Sequence, residues 1–240
     1  MINRRAFTGL MASSFAFASS AWAQSPPKKT VFFASVGPVL TLYDADPDAA
    51  TLTPRGSVTL PANVQYAWQH PSRRYFYVTS SNGQPGGGDA PKGDLHSLSA
   101  FTVDPATGRL SPHGEARTLP LRAIHNSVDR SGQFVLTAFN DPSSVIAHRI
   151  NADGTLGGMV KQPARLDTGL NPHQVLTSPS NRSVVVIARG NNATASKAED
   201  PGSIHVFGFN NGVLSPLQTV RPGTGLGFGP RHLDFHPTKP

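Results

Sequence analysis

LSAFTVDPATGRLSP, residues 98–112, sets the fold class. It holds an apolar stretch from Leu98 to Val103, a turn containing Asp104-Pro105 and Gly108, and Leu110 opening a second short run. Proline fixes φ and glycine admits positive φ, so the turn separates two strands of a hairpin. The same shape recurs as LTLYDADPDAATLTP at 40–54, VIAHRINADGTLGG at 145–158 and IHVFGFNNGVLSP at 204–216. The leucines after the turn are Leu52, Leu110, Leu156 and Leu214, so the shape returns at intervals of 58, 46 and 58 residues.

A second motif interleaves with the first: a tight turn, a small gap, then an apolar strand. Its copies are HPSRRYFYVTS from His70, DRSGQFVLTAF from Asp129 and SPSNRSVVVIA from Ser178, and FHPTKP from Phe235 starts a fourth. The two motifs keep step, each interval of one being matched closely by an interval of the other. Each unit therefore offers about four short strands in about fifty residues, the period of a β-propeller blade. Gly108, Gly132, Gly154 and Gly212 are expected at positive φ. Val184 to Ile187 is apolar on both faces, as a strand between stacked blades would be. A β-sandwich would not keep two interleaved motifs in step over four copies.

Composition agrees. Gly and Pro number 23 and 22 and charged residues are only 15% of the chain, which favours short strands and tight turns. There is no cysteine, which excludes a disulfide framework and thiolate chemistry. Nor is there an HExxH motif or carboxylate cluster, so no metal site is expected.

The chain opens with Arg4-Arg5-Ala6-Phe7, an uncharged run from Ala6 to Ala23, and the A-x-A signature Ala21-Trp22-Ala23. Residues 1–23 are thus expected to be a cleaved twin-arginine leader, directing residues 24–240 to the periplasm or medium without a stable membrane anchor. Without Arg4 and Arg5, 19 basic residues face 14 acidic ones. The excess is spread along the chain with no basic block, which argues against a nucleic-acid surface.

Propellers bind ligands in the central channel. Three loops place His or Arg just before an inner strand: Ala123-Ile124-His125-Asn126, Asn171-Pro172-His173-Gln174 and Gly229-Pro230-Arg231-His232. Three such loops in successive repeats suggest a shared site rather than three turn caps. Asn82 to Gly93 is glycine-rich but lacks a phosphate-loop ending, and reads as a mobile loop near the channel mouth. Asn191 to Pro201 reads as a polar surface insertion.

The stretches GLNPHQVLTSPSNRSVVVIARGNN (169–192), GSIHVFGFNNGVLSPLQTV (202–220) and GLGFGPRHLDFHP (225–237) resemble the lactonase propeller family. That family includes propeller-type 6-phosphogluconolactonases and carboxymuconate cyclases. The resemblance runs from about Val31 to the end, and GPRHxxFHP is its most specific part. It implies an all-β, seven-bladed propeller, of which four to five blades fall in this chain, and a cofactor-free channel site. It assigns His173 and Arg231 as catalytic. His125, Arg189 and His232 are counted as substrate-binding, although strand alternation sets His232 opposite Arg231 and favours a structural part for it. The family pattern continues to a glutamate in an Asn-Glu pair and a later arginine, both beyond Pro240, so the chain reads as a C-terminally truncated propeller. Where many members carry an acidic Asp-Leu-Gly turn, this chain has Ala188-Arg189-Gly190.

The implied function is an exported monomeric lactone hydrolase acting on a small anionic or polyhydroxylated lactone. Arg231 would stabilise the oxyanion or grip an anionic group, and His173 would accept the water proton. A muconate cyclase-like isomerase or lyase, and a non-catalytic binding propeller, stay open as alternatives.

Overall fold

The computed structural model describes residues 30–85 and 90–238. The expected leader lies outside the described residues, which contain sixteen strands and no helix. Four antiparallel sheets follow one another along the chain. Blade 1 has β1 (Thr30–Val36), β2 (Val39–Asp46) and β3 (Thr51–Thr59). Blade 2 has β4 (Asn63–Gln69), β5 (Tyr75–Ser81), β6 (His96–Val103) and β7 (Leu110–Pro112), with β8 (Arg117–Thr118) also pairing β6. Blade 3 has β9 (Ala123–Val128), β10 (Phe134–Asn140), β11 (Ser143–Ile150) and β12 (Leu156–Met159). Blade 4 has β13 (Pro172–Thr177), β14 (Ser183–Ala188), β15 (Ser203–Asn210) and β16 (Val213–Val220). The first strands of blades 2, 3 and 4 pack side by side, with β9 between β4 and β13. This is the stacked-blade order the repeats predict.

Each recurrent turn does the same local work. In the inner hairpins of blades 2, 3 and 4 one turn residue takes positive φ: Arg73 (61°), Gly132 (74°) and Asn181 (58°). Its N–H donates to the carbonyl of His70, Asp129 or Ser178, at 2.8, 3.0 and 2.9 Å. In the outer hairpins Gly108, Gly154 and Gly212 have φ of 74°, 87° and 84°, while Ala50 holds the same place in blade 1 at 51°. At Gly154 glycine is needed twice over, because a Cβ there would stand 2.4 Å from the Tyr75 ring of the neighbouring blade.

The core lies between the sheets. Alternation along the middle strands sends successive side chains to opposite neighbours. Phe76 and Val78 pack against Leu40 of blade 1, while Tyr77 joins Val135 and Phe139 of blade 3. Phe134, Leu136 and Ala138 face the other way, onto Val184, Val186 and Phe207 of blade 4. Polar clamps join the same interfaces: the Tyr77 hydroxyl donates to the Gly154 carbonyl at 2.8 Å, and Gln162 Nε2 to the Gly212 carbonyl at 2.9 Å. The strongest clamp is Asp129, which is fully buried. Its carboxylate accepts from the N–H groups of Ser131, Gln133 and Phe134, from the Ser131 hydroxyl, and from Asn181 Nδ2 of blade 4.

Candidate active site

The inner strands share an irregularity. In blade 2 Val64 pairs Ser80 and Tyr66 pairs Thr79, leaving Gln65 unpaired. In blade 3 Ala123 pairs Phe139 and His125 pairs Ala138, leaving out Ile124. In blade 4 Pro172 pairs Ala188 and Gln174 pairs Ile187, leaving out His173. Each is a β-bulge, which re-aims the extra residue and reverses the alternation around it. Gln65, Ile124 and His173 thus form one row, and Tyr66, His125 and Gln174 a second. The step that carries the Ser178 turn to the His236 turn also carries His173 to Arg231, although no strand forms around Arg231.

The loops on either side are knitted together. Asn171 takes φ of 58°, which asparagine tolerates well. Its N–H donates to Ser143 Oγ (3.0 Å) and its amide to the Gly190 carbonyl (3.1 Å). Arg189 N–H donates back to the Asn171 carbonyl (3.0 Å). The turn before His173 and the end of β14 at Arg189 are therefore one unit. The segment carrying Arg231 is pinned beside it: Gly202 N–H donates to the Gly225 carbonyl (3.0 Å), Gly227 N–H to Glu199 (2.6 Å), and Leu233 N–H to the Gln174 side chain.

These elements enclose a cleft of about 620 Å³. Ile124 and His173 of the bulge row line it, together with Arg231, Arg189, Asn191, Asn192, Thr194 and Lys197. Pro85, Arg122, Asn140 and Asp141 line it as well. The lining is rich in cations. Lys197 pairs with Asp200 at 2.6 Å, and Asp141 pairs with Lys92 at 2.5 Å. Burial lowers the His173 pKa below the ordinary histidine value, and the charges of His232, Arg231 and Arg189 push the same way against the Arg231 carbonyl. The ring is therefore neutral at neutral pH, and its Nδ1 has no hydrogen-bond partner. Among the described residues no group of three or more His, Cys, Asp or Glu is arranged to hold a metal.

Of the residues singled out from the sequence, His173, Arg231 and Arg189 come together in this cleft. His125 does not. It stands in the second row, fully buried under Tyr66 at a ring distance of 4.1 Å and beside Trp68 at 5.7 Å. Burial there, with His232 and His173 nearby, lowers its pKa to about 3. His232 packs edge-on to His173, ring centres 5.2 Å apart, and is not among the cleft-lining residues. The strand expected after Gly229 does not form, so strand alternation does not govern His232. The insertion after Asn191, expected to be plain surface, makes one wall of the cleft and is closed by a bridge between Asn191 and Asp200. The described ends of the glycine-rich loop reach the rim, through Pro85 in the lining and Lys92 on Asp141. Arg122, Asn191, Asn192, Thr194 and Lys197 were not foreseen. The repeat interval alone could have flagged the bulge row, and nothing in the sequence marks Arg122.

A model of the lactonase, 7-bladed β-propeller family matches residues 33–240. This chain belongs to that family. Among relatives of the lactonase family, a 6-phosphogluconolactonase from Cronobacter sakazakii is 30% identical over 212 residues, covering 83% of this chain and 56% of its own. One from Pectobacterium carotovorum is 31% identical over 188 residues, covering 78% and 49%. The chain thus spans about half the length of the curated relatives it matches. Among solved structures, a Lactobacillus plantarum protein superposes with a TM-score of 0.58 at 15% identity, covering 80% of this chain and 55% of that one. The periplasmic gluconolactonase of Pseudomonas aeruginosa gives 0.50 at 20% identity, covering 77% and 65%. At those identities the likeness concerns the fold.

Proposed function

We propose that this protein opens the ester ring of a sugar-acid lactone in the cleft between blades 3 and 4. The reading rests chiefly on one observation: His173, Arg189 and Arg231 line one cleft. Water attacks the lactone carbonyl while neutral His173 takes its proton. Negative charge grows on the carbonyl oxygen, and Arg231 stabilises it by charge-assisted hydrogen bonds. The ring C–O bond then breaks, the ring oxygen takes a proton, and a hydroxy acid leaves. The relatives named as 6-phosphogluconolactonases support this class of substrate.

The test is lactone opening by the full chain on a panel of aldonolactones, followed by His173→Ala and Arg231→Gln. Each variant should lose about a hundredfold in turnover. Unchanged turnover in His173→Ala would remove it from the chemistry. We also propose export through the twin-arginine leader. Its test is the N-terminus of protein from the periplasmic fraction, which should begin at Gln24. A product retaining Met1 there would exclude cleavage.

A further inference from the structure

The two outer ends of the blade stack are unfinished in opposite ways. Blades 2, 3 and 4 each start with an innermost strand, β4, β9 or β13, paired to the strand that follows it. Blade 1 shows none among the described residues: β1 pairs β2 alone, and its other edge presents a row of backbone donors and acceptors. A cavity of about 290 Å³ lies where that strand would stand, lined by Phe33 and Ser35 of β1 and by Gln65, Tyr66 and Trp68 of β4. Beyond blade 4 the situation is reversed. The step that carries Ser178 to His236 carries Pro172, Val175 and Pro179 to Pro230, Leu233 and Pro237, so residues 230–237 repeat the β13 pattern. Leu233 and Phe235 are half-buried and Asp234 between them is exposed, the alternation of a strand. Yet no strand forms there, and among the described residues 230–235 make no backbone-to-backbone hydrogen bond. Blade 1 is thus a blade without an inner strand, and this segment is an inner strand without a blade. Most of the exposed large apolar side chains gather at the same two ends: Phe32, Val36 and Leu52 on blade 1, Leu217 and Val220 on blade 4, and Leu226 just after it.

We propose that a second copy of this chain supplies what each end lacks, in place of the monomer the sequence suggests. Two copies associate head to tail, residues 230–235 of each pairing antiparallel with β1 of the other. Leu233 N–H donates to the Gln174 side chain and holds the segment beside β13 of its own copy. Blades 2, 3 and 4 stand between it and its own β1, so the pairing runs between copies. The register follows from the repeats. Phe32 pairs Tyr43 as Phe76 pairs Phe101, and Tyr43 and Phe101 hold the same place before their Asp-Pro turns, so β1 is the counterpart of β5. Gln69, just before His70-Pro71, pairs Phe76. Phe235, just before His236-Pro237, therefore meets Phe32 of the second copy, and Leu233 meets Ala34. Reciprocal pairing closes two sets of four blades into a ring of eight and leaves no open edge. It also orders the segment that carries Arg231, so each copy completes the cleft of the other.

The test needs no lactone, so its outcome is separate from that of the proposed reaction. The chain has no cysteine, so an engineered disulfide reports the pairing without competition. In blade 4 the Ser178 N–H donates to the Ser183 carbonyl, which makes Val175 and Val186 a close, non-hydrogen-bonded pair. Leu233 and Ala34 hold those two places across the proposed interface, at a separation a disulfide can span. The double variant Ala34→Cys with Leu233→Cys, mildly oxidised, should run in denaturing gels as a covalent dimer. A cross-linked single chain would show that the segment closes its own blade and overturns the proposal. A ladder of higher species overturns the closed pair, and no cross-link at all overturns the register. Light scattering gives the second measurement. The unmodified protein should have twice the mass of one chain, and a single-chain mass overturns the proposal. Asp234→Pro removes the N–H that this register aims at β1, at a position exposed in the single copy, and should weaken the dimer about tenfold or more. Asp234→Ala should leave the dimer intact. A dimer as stable in Asp234→Pro as in the unmodified protein overturns the strand pairing.

Discussion

His125 should make the fold acid-sensitive, and replacing it should remove a calculable part of that sensitivity. The ring is fully buried, and burial, reinforced by the charges of His232 and His173, takes its pKa from 6.5 to about 3. The folded pKa is below the unfolded one, so the unfolded chain binds the proton first. The neutral-ring contribution is fully present above pH 6.5 and falls as pH drops towards 3. With one pKa unit equal to about 1.4 kcal/mol, the whole interval corresponds to about 5 kcal/mol, of which about 2 kcal/mol is lost between pH 7 and pH 5. His125→Gln is the informative replacement. Gln174 holds the equivalent place in blade 4, and a glutamine oxygen can accept the Val175 N–H that now meets His125 Nδ1 at 3.5 Å. Urea unfolding of both proteins at pH 7 and pH 5 gives the comparison. His148, His173 and His205 are shifted down by burial as well and lower stability in acid in both proteins, so they cancel in the difference. The wild type should lose about 2 kcal/mol more than His125→Gln over this range. Equal losses in the two proteins would refute the assignment.

Three further outcomes are expected. Asp129→Ala removes five hydrogen bonds from a fully buried carboxylate and leaves their donors unmet, so it should cost at least about 3 kcal/mol in chemical denaturation. A loss under about 1 kcal/mol would show that water replaces the carboxylate. Gly169→Ala puts a Cβ within 2.4 Å of Ala188 Cβ, 2.6 Å of His205 Nε2 and 2.8 Å of Ser203 Oγ, at a φ of 73°, and should lower the melting temperature by several degrees. An unchanged melting temperature would mean the buried Ser203–His205 pair moves aside freely. For the proposed hydrolysis, the acid limb of kcat/KM should fall below pH 6.5, because burial and neighbouring cations keep His173 neutral there; a limb at or above pH 6.5 would assign the base elsewhere.

The fold was legible because its turns carry their own chemistry. Asp104-Pro105 with Gly108 and the Gly154 turn each need positive φ at one place, the Asn211-Gly212 turn needs it at two, and the leucines after them keep the period. The inner-strand turns recur as legibly, through different residues: Arg73, Gly132 and Asn181 share one conformation but no chemistry. Only their spacing and the apolar strands after them reveal the repeat.

His173, Arg189 and Arg231 of the candidate site were legible as neighbours, while His125 was read one residue out of register. By residue identity His125 matches His173, since both precede an apolar strand. The turns set a different correspondence. The step from Asp129 to Ser178, taken back from His173, lands on Ile124 and not on His125. The next step, from Ser178 to His236, carries His173 onward to Arg231. In a regular strand a one-residue offset exchanges the two faces. Here the bulge adds a residue at just this point, so His173 turns into the cleft while His125 is sealed under Tyr66. The register was in the repeat interval, but the bulge that turns it into a site was not, because it depends on pairing between strands. Arg122 and Lys197 were out of reach for a different reason. Arg122 enters from a strand entry whose equivalent in blade 4 is Asn171, a different chemistry at the same place, and Lys197 from an insertion, so only the packing of blade 3 against blade 4 brings them together.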